Sequence, residues 1–483
     1  MRQKIFNEIL QERWLVASFP VCQARVYFAN KGGPVMNVSR RKVLGIGGAL
    51  AAGAGLAGLT ACSGTGTAGA GSGSAGDGKK GDITVWSWQG PAAELKALVP
   101  DFNKRYPDIK VNVQDIGNPA IWNKITTAMA AGGAGLADVL HIGVDYLPGY
   151  VEKFPDGLAD LGKLGAANYK DSFAQGMWQT VAPKGDRVSA LPWEANSAGF
   201  YYRADVFEES GVDAAALETW DDALEAGKKI KQKTGKYLLG IDKPASQPDA
   251  ANFFQMLLQL QGAFYFNLGG DITLASPAAV KAMTIIKELN DAGLVSDLSG
   301  GWNALISSIK KGTAAVLPWP TWFGGIIEET VPAEAGKWGV RLPPAVSRGG
   351  TNATTVNSTH LAIAGSSKHQ AAAWKFVEFV LTRPESQVQI YKGKGIAPAL
   401  MTAYDDLVFH TPSQFFSGQK KGEVFLEALK APSPAFNYSA DYARALKVVA
   451  DAQTKVLLKG ADPASALQKA AEQLAEQTGR KVL

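Results

Sequence analysis

An α/β fold is what this 483-residue sequence predicts, and three observations carry the prediction. Between residues 83 and 142, short β-branched runs alternate with segments of helical period, the pattern of parallel strands joined by right-handed crossovers. Residues 187–191 and 199–202 are strand-like pieces on either side of the irregular polar corner Pro192-Trp193-Glu194-Ala195-Asn196; together they read as one long strand passing between two lobes. Beyond residue 81 about 400 residues of ordinary globular composition remain, enough for two or three domains.

The elements follow in order. Ile83-Thr84-Val85-Trp86-Ser87-Trp88 is β-branched and aromatic and ends in Gln89-Gly90-Pro91. Pro91 suits the first turn of a helix, in which Leu95, Leu98, Val99 and Phe102 recur at helical spacing. Residues 109–113 form the second strand. Ile121, Trp122, Ile125 and Met129 mark the second helix, and Asp138-Val139-Leu140-His141-Ile142 the third strand. After the corner at residues 192–196, helices dominate: 220–231 behind a Thr219 cap, 252–260, 277–290 behind a Ser276 cap, and 302–311. A strand at 313–317 breaks into Pro318-Trp319-Pro320-Thr321-Trp322-Phe323. Residues 338–344 look like a return strand, and a strand at 361–363 with a helix at 370–381 would rejoin the first lobe. Terminal helices run through residue 477 without an internal repeat.

The leader has its own logic. Arg40-Arg41-Lys42 precedes a charge-free run at residues 43–61 that closes on Leu59-Thr60-Ala61-Cys62, the basic, apolar, small-residue order of a secretory signal. The tetrapeptide resembles the lipobox of bacterial lipoproteins, which implies cleavage before Cys62 and acyl chains on it. Two or three chains anchor firmly where one does not. Ser39-Arg40-Arg41-Lys42-Val43-Leu44 resembles a twin-arginine export motif, although that pattern prefers Phe where Val43 stands. Met36 begins a complete signal by itself, so residues 1–35 read as an over-called start and 36–61 as the signal. Residues 62–81 are then the lipidated cysteine and a tether containing eight glycines, whose coil reach is on the order of 25 Å.

Cleavage changes the charge. The first 61 residues hold 8 of the 49 Lys and Arg and 2 of the 44 Asp and Glu, so the net charge of +5 for the whole chain becomes about −1. No nucleic-acid partner is implied. The two cysteines are Cys22 and Cys62, which leaves the folded body without disulfide or thiolate chemistry. His141, His360, His369 and His410 lack metal-ligand spacing, and no metal or cofactor is implied. Gly53-Ala54-Gly55-Leu56-Ala57-Gly58 matches GxGxxG but lies inside the signal's apolar run, not between a strand and a helix.

Six segments in order then carry a resemblance: Trp86 with Trp88, Ala137-Asp138-Val139, Leu191-Pro192-Trp193-Glu194, Tyr201-Tyr202-Arg203-Ala204-Asp205-Val206-Phe207, Glu218-Thr219-Trp220-Asp221-Asp222, and Lys311-Gly312-Thr313-Ala314-Ala315-Val316. Over residues 82 to about 405 the chain resembles the family 1 extracellular solute-binding proteins, the maltose-binding-protein-like receptors of ABC carbohydrate importers. No one of the six is specific, but their order is. The resemblance implies a two-lobed type II periplasmic-binding-protein fold with three crossovers, near residues 192–196, 340–344 and 385–389. Lobe 1 would comprise 82–192 and 343–385, and lobe 2 197–338 and 390–483. It also implies a monomer held at the outer face of the cell membrane by lipid, a carbohydrate ligand and a partner permease.

Ligands of open α/β sheets bind beyond the carboxyl ends of strands. Trp88 and Gln89, Asp145 and Tyr146, Trp193, Glu194 and Asn196, and Trp319 and Trp322 stand at such ends, offering flat apolar platforms for sugar C–H faces and planar groups for hydroxyls. Each has a structural alternative: Trp193 packing the hinge, Glu194 and Asn196 capping the corner, Asp145 capping the helix that contains Tyr146 and Leu147. Trp86 belongs to the core. Asn352, Thr354 and Asn357, in a loop after glycines, are weaker candidates. Two other functions compete with the sugar receptor: a receptor for a glycerol-phosphate-like solute, and a secreted glycosidase with Glu194 in its acid/base pair.

Overall fold

Val85, with no exposed surface, and the neighbouring Ile83 and Trp86 anchor the first strand in a core that the rest of one body is built around. The computed structural model describes residues 80–483, apart from 184, 186, 248–249, 432–433 and 435. The expected over-called start, the signal, the lipidation site Cys62 and most of the tether lie outside the described residues. Ten strands are found among those described: β1 (Gly81–Ser87), β2 (Ile109–Asp115), β3 (Val139–Gly143), β4 (Leu191–Pro192), β5 (Phe200–Arg203), β6 (Leu239–Ile241), β7 (Val295–Asp297), β8 (Val316–Leu317), β9 (Trp338–Arg341) and β10 (Thr359–Ile363).

The first sheet has the order β2-β1-β3-β10-β4. β1 runs parallel to both β2 and β3, with Val85 opposite Val113 and Val139, while β10 lies antiparallel between β3 and β4. Helices Gln89–Arg105 and Gln370–Leu381 cover it, meeting where Phe102 sets its ring edge-on to Phe376 and Phe379.

In the second body β5 lies antiparallel between β8 and β9, and β6 is parallel to β7. The two pieces join: Tyr237 bridges Ala314 in parallel, and the Val316 N–H donates to the Leu238 carbonyl at 2.8 Å. The resulting order, β7-β6-β8-β5-β9, repeats that of the first sheet, with a parallel trio extended by an antiparallel strand and a last strand. Alternation along β5 sends Phe200 into the core that also holds Trp220, Phe254 and Val449, and Tyr201 into the one that holds Phe323, Trp338 and Phe425. The Thr219 cap is present as a full capping box with Asp222, and Ser276 accepts from the Ala279 N–H at 3.3 Å.

The first passage between bodies runs from β4 to β5, across the expected corner. The second comes later than residues 340–344. Val346 and Val356 pack into the second core, so the chain leaves that body only at Asn357 and Ser358, just before β10. The third is also displaced. Residues 385–389 lie within the helix Pro384–Lys394, where Pro384 starts a helix and Ile390 is buried in the first core together with Ile396, Leu400 and Ala403. The chain returns to the second body beyond Ala403, ahead of the helix Lys421–Lys430, which sets Phe425 against Tyr201.

Candidate functional site

The carboxyl ends of the parallel strands in both bodies carry the candidate side chains. β1 delivers Trp88, whose ring stacks on His141 with centroids 3.8 Å apart and planes 9° from parallel. Its other neighbour is Trp122, edge-on at 5.1 Å, and Trp122 stacks on Tyr146 at 4.3 Å. Trp88 and Tyr146 are partly exposed, so they form the visible surface of an aromatic cluster rooted in the first core. Trp122 reads in the sequence as an ordinary buried position of a helix; only the fold brings it between two candidate residues. Gln89 is exposed, and its φ of +29° turns the chain out of the strand while its N–H donates to Asp115 Oδ1 at 3.0 Å. Trp86 is buried, as expected.

β3 delivers Asp145. It does not cap the following helix: the capping position is Tyr146, without a side-chain cap. Burial instead pushes the Asp145 carboxyl up to about 6 against the pull of the Asp145 and Tyr146 backbone N–H groups.

At the first passage the candidates divide. Trp193 is 1% exposed, lies 4.4 Å from His141, and packs the joint between sheet and passage. Asn196 is wholly buried. Its Nδ2 donates to the Asn357 carbonyl at 3.0 Å, and its carbonyl accepts from Val356 at 2.7 Å, so it ties the first passage to the second. Glu194 alone of the three is partly exposed. It accepts from the Thr359 hydroxyl at 2.9 Å, and burial pushes its carboxyl up to about 7, restrained by hydrogen bonds from Thr359 and Asn196.

In the second body, β6, β7 and β8 run out into Asp242, Leu298 and Pro318, which line a cavity of about 860 Å³, part of it open to solvent. Trp302 and Trp319 line it together with Phe253, Asn252 and Asp242. Trp302 is 45% exposed, stands edge-on to Trp319 and stacks loosely on Trp322, each at 6.2 Å. Trp319 is held from behind by Phe323, stacked at 4.7 Å. Trp322 supports this wall through Trp302. Trp302 escaped the sequence reading because it opens an amphipathic helix, Trp302–Lys311, where an aromatic residue suggests core. Asp242 is 7% exposed; one carboxylate oxygen accepts from Ser246, and the other, Oδ1, has no partner among the described residues.

Val356 and Asn357 line this cavity and also a smaller one of about 290 Å³, bounded by Val144 and Met177 of the first body and Phe436 and Tyr438 of the second. Asn357, with φ of +52°, therefore stands where the two spaces meet. Thr354 is buried, with its hydroxyl lacking a partner among the described residues, and Asn352 is exposed outside both cavities. No group of three or more metal-ligating His, Cys, Asp or Glu side chains occurs among the described residues.

The cavity of the second body combines flat aromatic faces with a buried acceptor, which suits a polyhydroxylated ligand; Trp88, Gln89, Asp145, Tyr146 and Glu194 line neither cavity. Residues 86–387 match the bacterial extracellular solute-binding protein family. A lactose-binding protein of Rhizobium radiobacter is 25% identical over 409 residues, 82% of this chain and 93% of that protein. A lipoprotein encoded beside oleD in Streptomyces antibioticus is 26% identical over 360 residues, 72% of this chain and 76% of its own length. An ABC-transporter-associated binding protein of B. animalis subsp. lactis, solved with β-1,6-galactobiose, superimposes with a TM-score of 0.68 at 26% identity, covering 83% of this chain and 99% of that one. It shares the two-lobed type II fold expected from the sequence.

Proposed function

The chain belongs to the bacterial extracellular solute-binding protein family, and from that premise we propose that it is the receptor of an ABC importer, capturing a sugar or oligosaccharide between its lobes and passing it unchanged to the permease. The observation that carries this is the wall of Trp302 and Trp319 at the strand ends of the second body, with an Asp242 oxygen in the same lining that has no partner among the described residues. Sugar C–H faces stack on such rings, and a hydroxyl that meets a buried acceptor removes the cost of leaving it unpaired. Trp88, Gln89, Asp145, Tyr146 and Glu194 would act from the first body and the passage, Trp319 and Trp322 from the second, with Trp193 and Asn196 setting the joint. Among the described residues the cavity lining contains no Lys or Arg, which disfavours a glycerol-phosphate-like solute.

The lactose-binding relative and the galactobiose-bound structure support a carbohydrate, and make galactosides the first ligands to try. The lipobox-like Leu59-Thr60-Ala61-Cys62 and the lipoprotein relative support attachment through Cys62 to the outer face of the cell membrane. No helix among the described residues is long and apolar enough to cross a membrane.

A thermal-shift panel of lactose, β-1,6-galactobiose, other oligosaccharides and glycerophosphodiesters tests the ligand. A sugar at 100 times its Kd adds about 2.7 kcal/mol to stability, and should be recovered intact. Stabilisation by phosphodiesters alone, or release of reducing ends at enzymatic rates, would overturn the proposal. Cys62→Ser should move the protein from the membrane pellet to the soluble fraction; retention in the pellet after carbonate washing would remove the anchor.

A further inference from the structure

Four polar groups cross the first sheet in strand order, one from each of β1, β3 and β10 and the last from the passage after β4. Ser87 Oγ lies 2.8 Å from His141 Nδ1, and His141 Nε2 lies 2.8 Å from Thr359 Oγ1, which donates to Glu194 Oε1 at 2.9 Å. Ser87, His141 and Thr359 are all buried; of the four only Glu194 is partly exposed.

The direction of the chain follows from counting protons. An ionised carboxylate only accepts, so the single hydroxyl proton of Thr359 goes to Glu194 and its oxygen must accept from His141. The ring proton therefore sits on Nε2, and Nδ1 accepts from the Ser87 hydroxyl. Every member is satisfied by a neutral imidazole. Burial first, and the neighbouring His360 second, hold His141 well below the ordinary histidine range, in keeping with that state. The groups acting on Glu194 are the Thr359 hydroxyl and the Asn196 side chain. The same imidazole supports Trp88 on its face and meets Trp193 at 4.4 Å.

We propose that His141 and Thr359 are positioning residues for ligand capture: one buried imidazole in a single tautomer fixes Glu194 as a hydrogen-bond acceptor and Trp88 as a flat platform. A carboxylate oriented by a chain of donors recognises hydroxyl groups and repels anions, so the relay selects neutral glycans. The inference rests on the carbohydrate reading for what Glu194 and Trp88 do, but the relay can be tested without any ligand.

With only four histidines in the chain, ¹⁵N-histidine spectra of the purified protein can be assigned by single His→Gln substitutions. Between about pH 7.5 and 8.5, where Glu194 is ionised, His141 should show a protonated Nε2 and a bare Nδ1. A protonated Nδ1, or an imidazolium anywhere in that range, would overturn the relay, and this measurement needs no substitution at Thr359. Thr359→Val should raise the Glu194 ¹³Cδ titration midpoint and weaken binding of the most stabilising panel sugar about tenfold, with Thr359→Ser restoring both. An unchanged midpoint in Thr359→Val would refute the link to Glu194, and unchanged affinity would refute the role in capture. If no sugar binds while His141 keeps its expected tautomer, the relay stands and the carbohydrate reading falls.

Discussion

Glu194 and Asp145 hold their carboxyl protons more tightly in the folded protein than their ordinary values of 4.5 and 3.8 would allow, near 7 and 6 respectively. Between those limits the unfolded chain has lost protons that the folded one keeps, so stability falls as pH rises from about 4 to about 7. Glu194→Gln should flatten that decline and, above pH 7, leave the unliganded protein more stable by on the order of 1–3 kcal/mol. Equal pH dependence of the melting temperature in mutant and parent would contradict this. Because the ionised form is the acceptor, sugar affinity in the parent should drop by up to about tenfold per pH unit below 7. Trp302→Ala should weaken binding roughly five- to thirtyfold with little effect on unliganded stability, since the ring is half exposed before ligand covers it; calorimetry with a bound sugar would check it. The strand-end positions of Trp88, Asp145, Glu194 and Trp319 are legible in sequence because each stands within two residues of a strand's last residue. The relay is not, because its partners are 54, 218 and 165 residues apart and meet only by strand order.

At the level of elements, the first passage holds the tryptophan-bearing loop in place. The Gly199 N–H donates to the Trp319 carbonyl at 2.9 Å, and a Cβ at Gly199 would stand 2.8 Å from that oxygen and 3.0 Å from the Tyr201 ring. Gly199→Ala must displace the Pro318-Trp319-Pro320 turn, and should lower both melting temperature and sugar affinity. Thr219→Ala is the matching control: it removes a helix cap worth about 1 kcal/mol in the same body but outside the cavity lining, and should leave affinity unchanged. A Gly199→Ala protein with parental affinity would show that the turn is held by other contacts. Most helices and strands are legible because caps and apolar period are local properties. The second and third passages are not: whether residues 340–344 or 385–389 cross depends on which core receives Val356 or Ile390, a property of the whole chain.

Across the whole molecule, the strand order of the first body recurs in the second once Tyr237 bridges Ala314, and Asn196 couples two of the three passages between them. A ligand held by both bodies draws them together only as far as it binds the closed form better than the open one. Small-angle scattering should therefore show a smaller radius of gyration at saturation with a binding sugar, and an unchanged curve would exclude closure as the response. The tryptophan wall carries one more consequence. Trp302 is half in water, yet Trp319 and Trp322 lie 6.2 Å away, close enough for excited-state energy to pass among the three indoles. Covering Trp302 with a sugar strips water from its excited state and shifts the protein's ultraviolet emission to shorter wavelength, a change that Trp302→Phe should abolish. The site carries its own dye, and candidate ligands can be screened by the colour of the protein's own light.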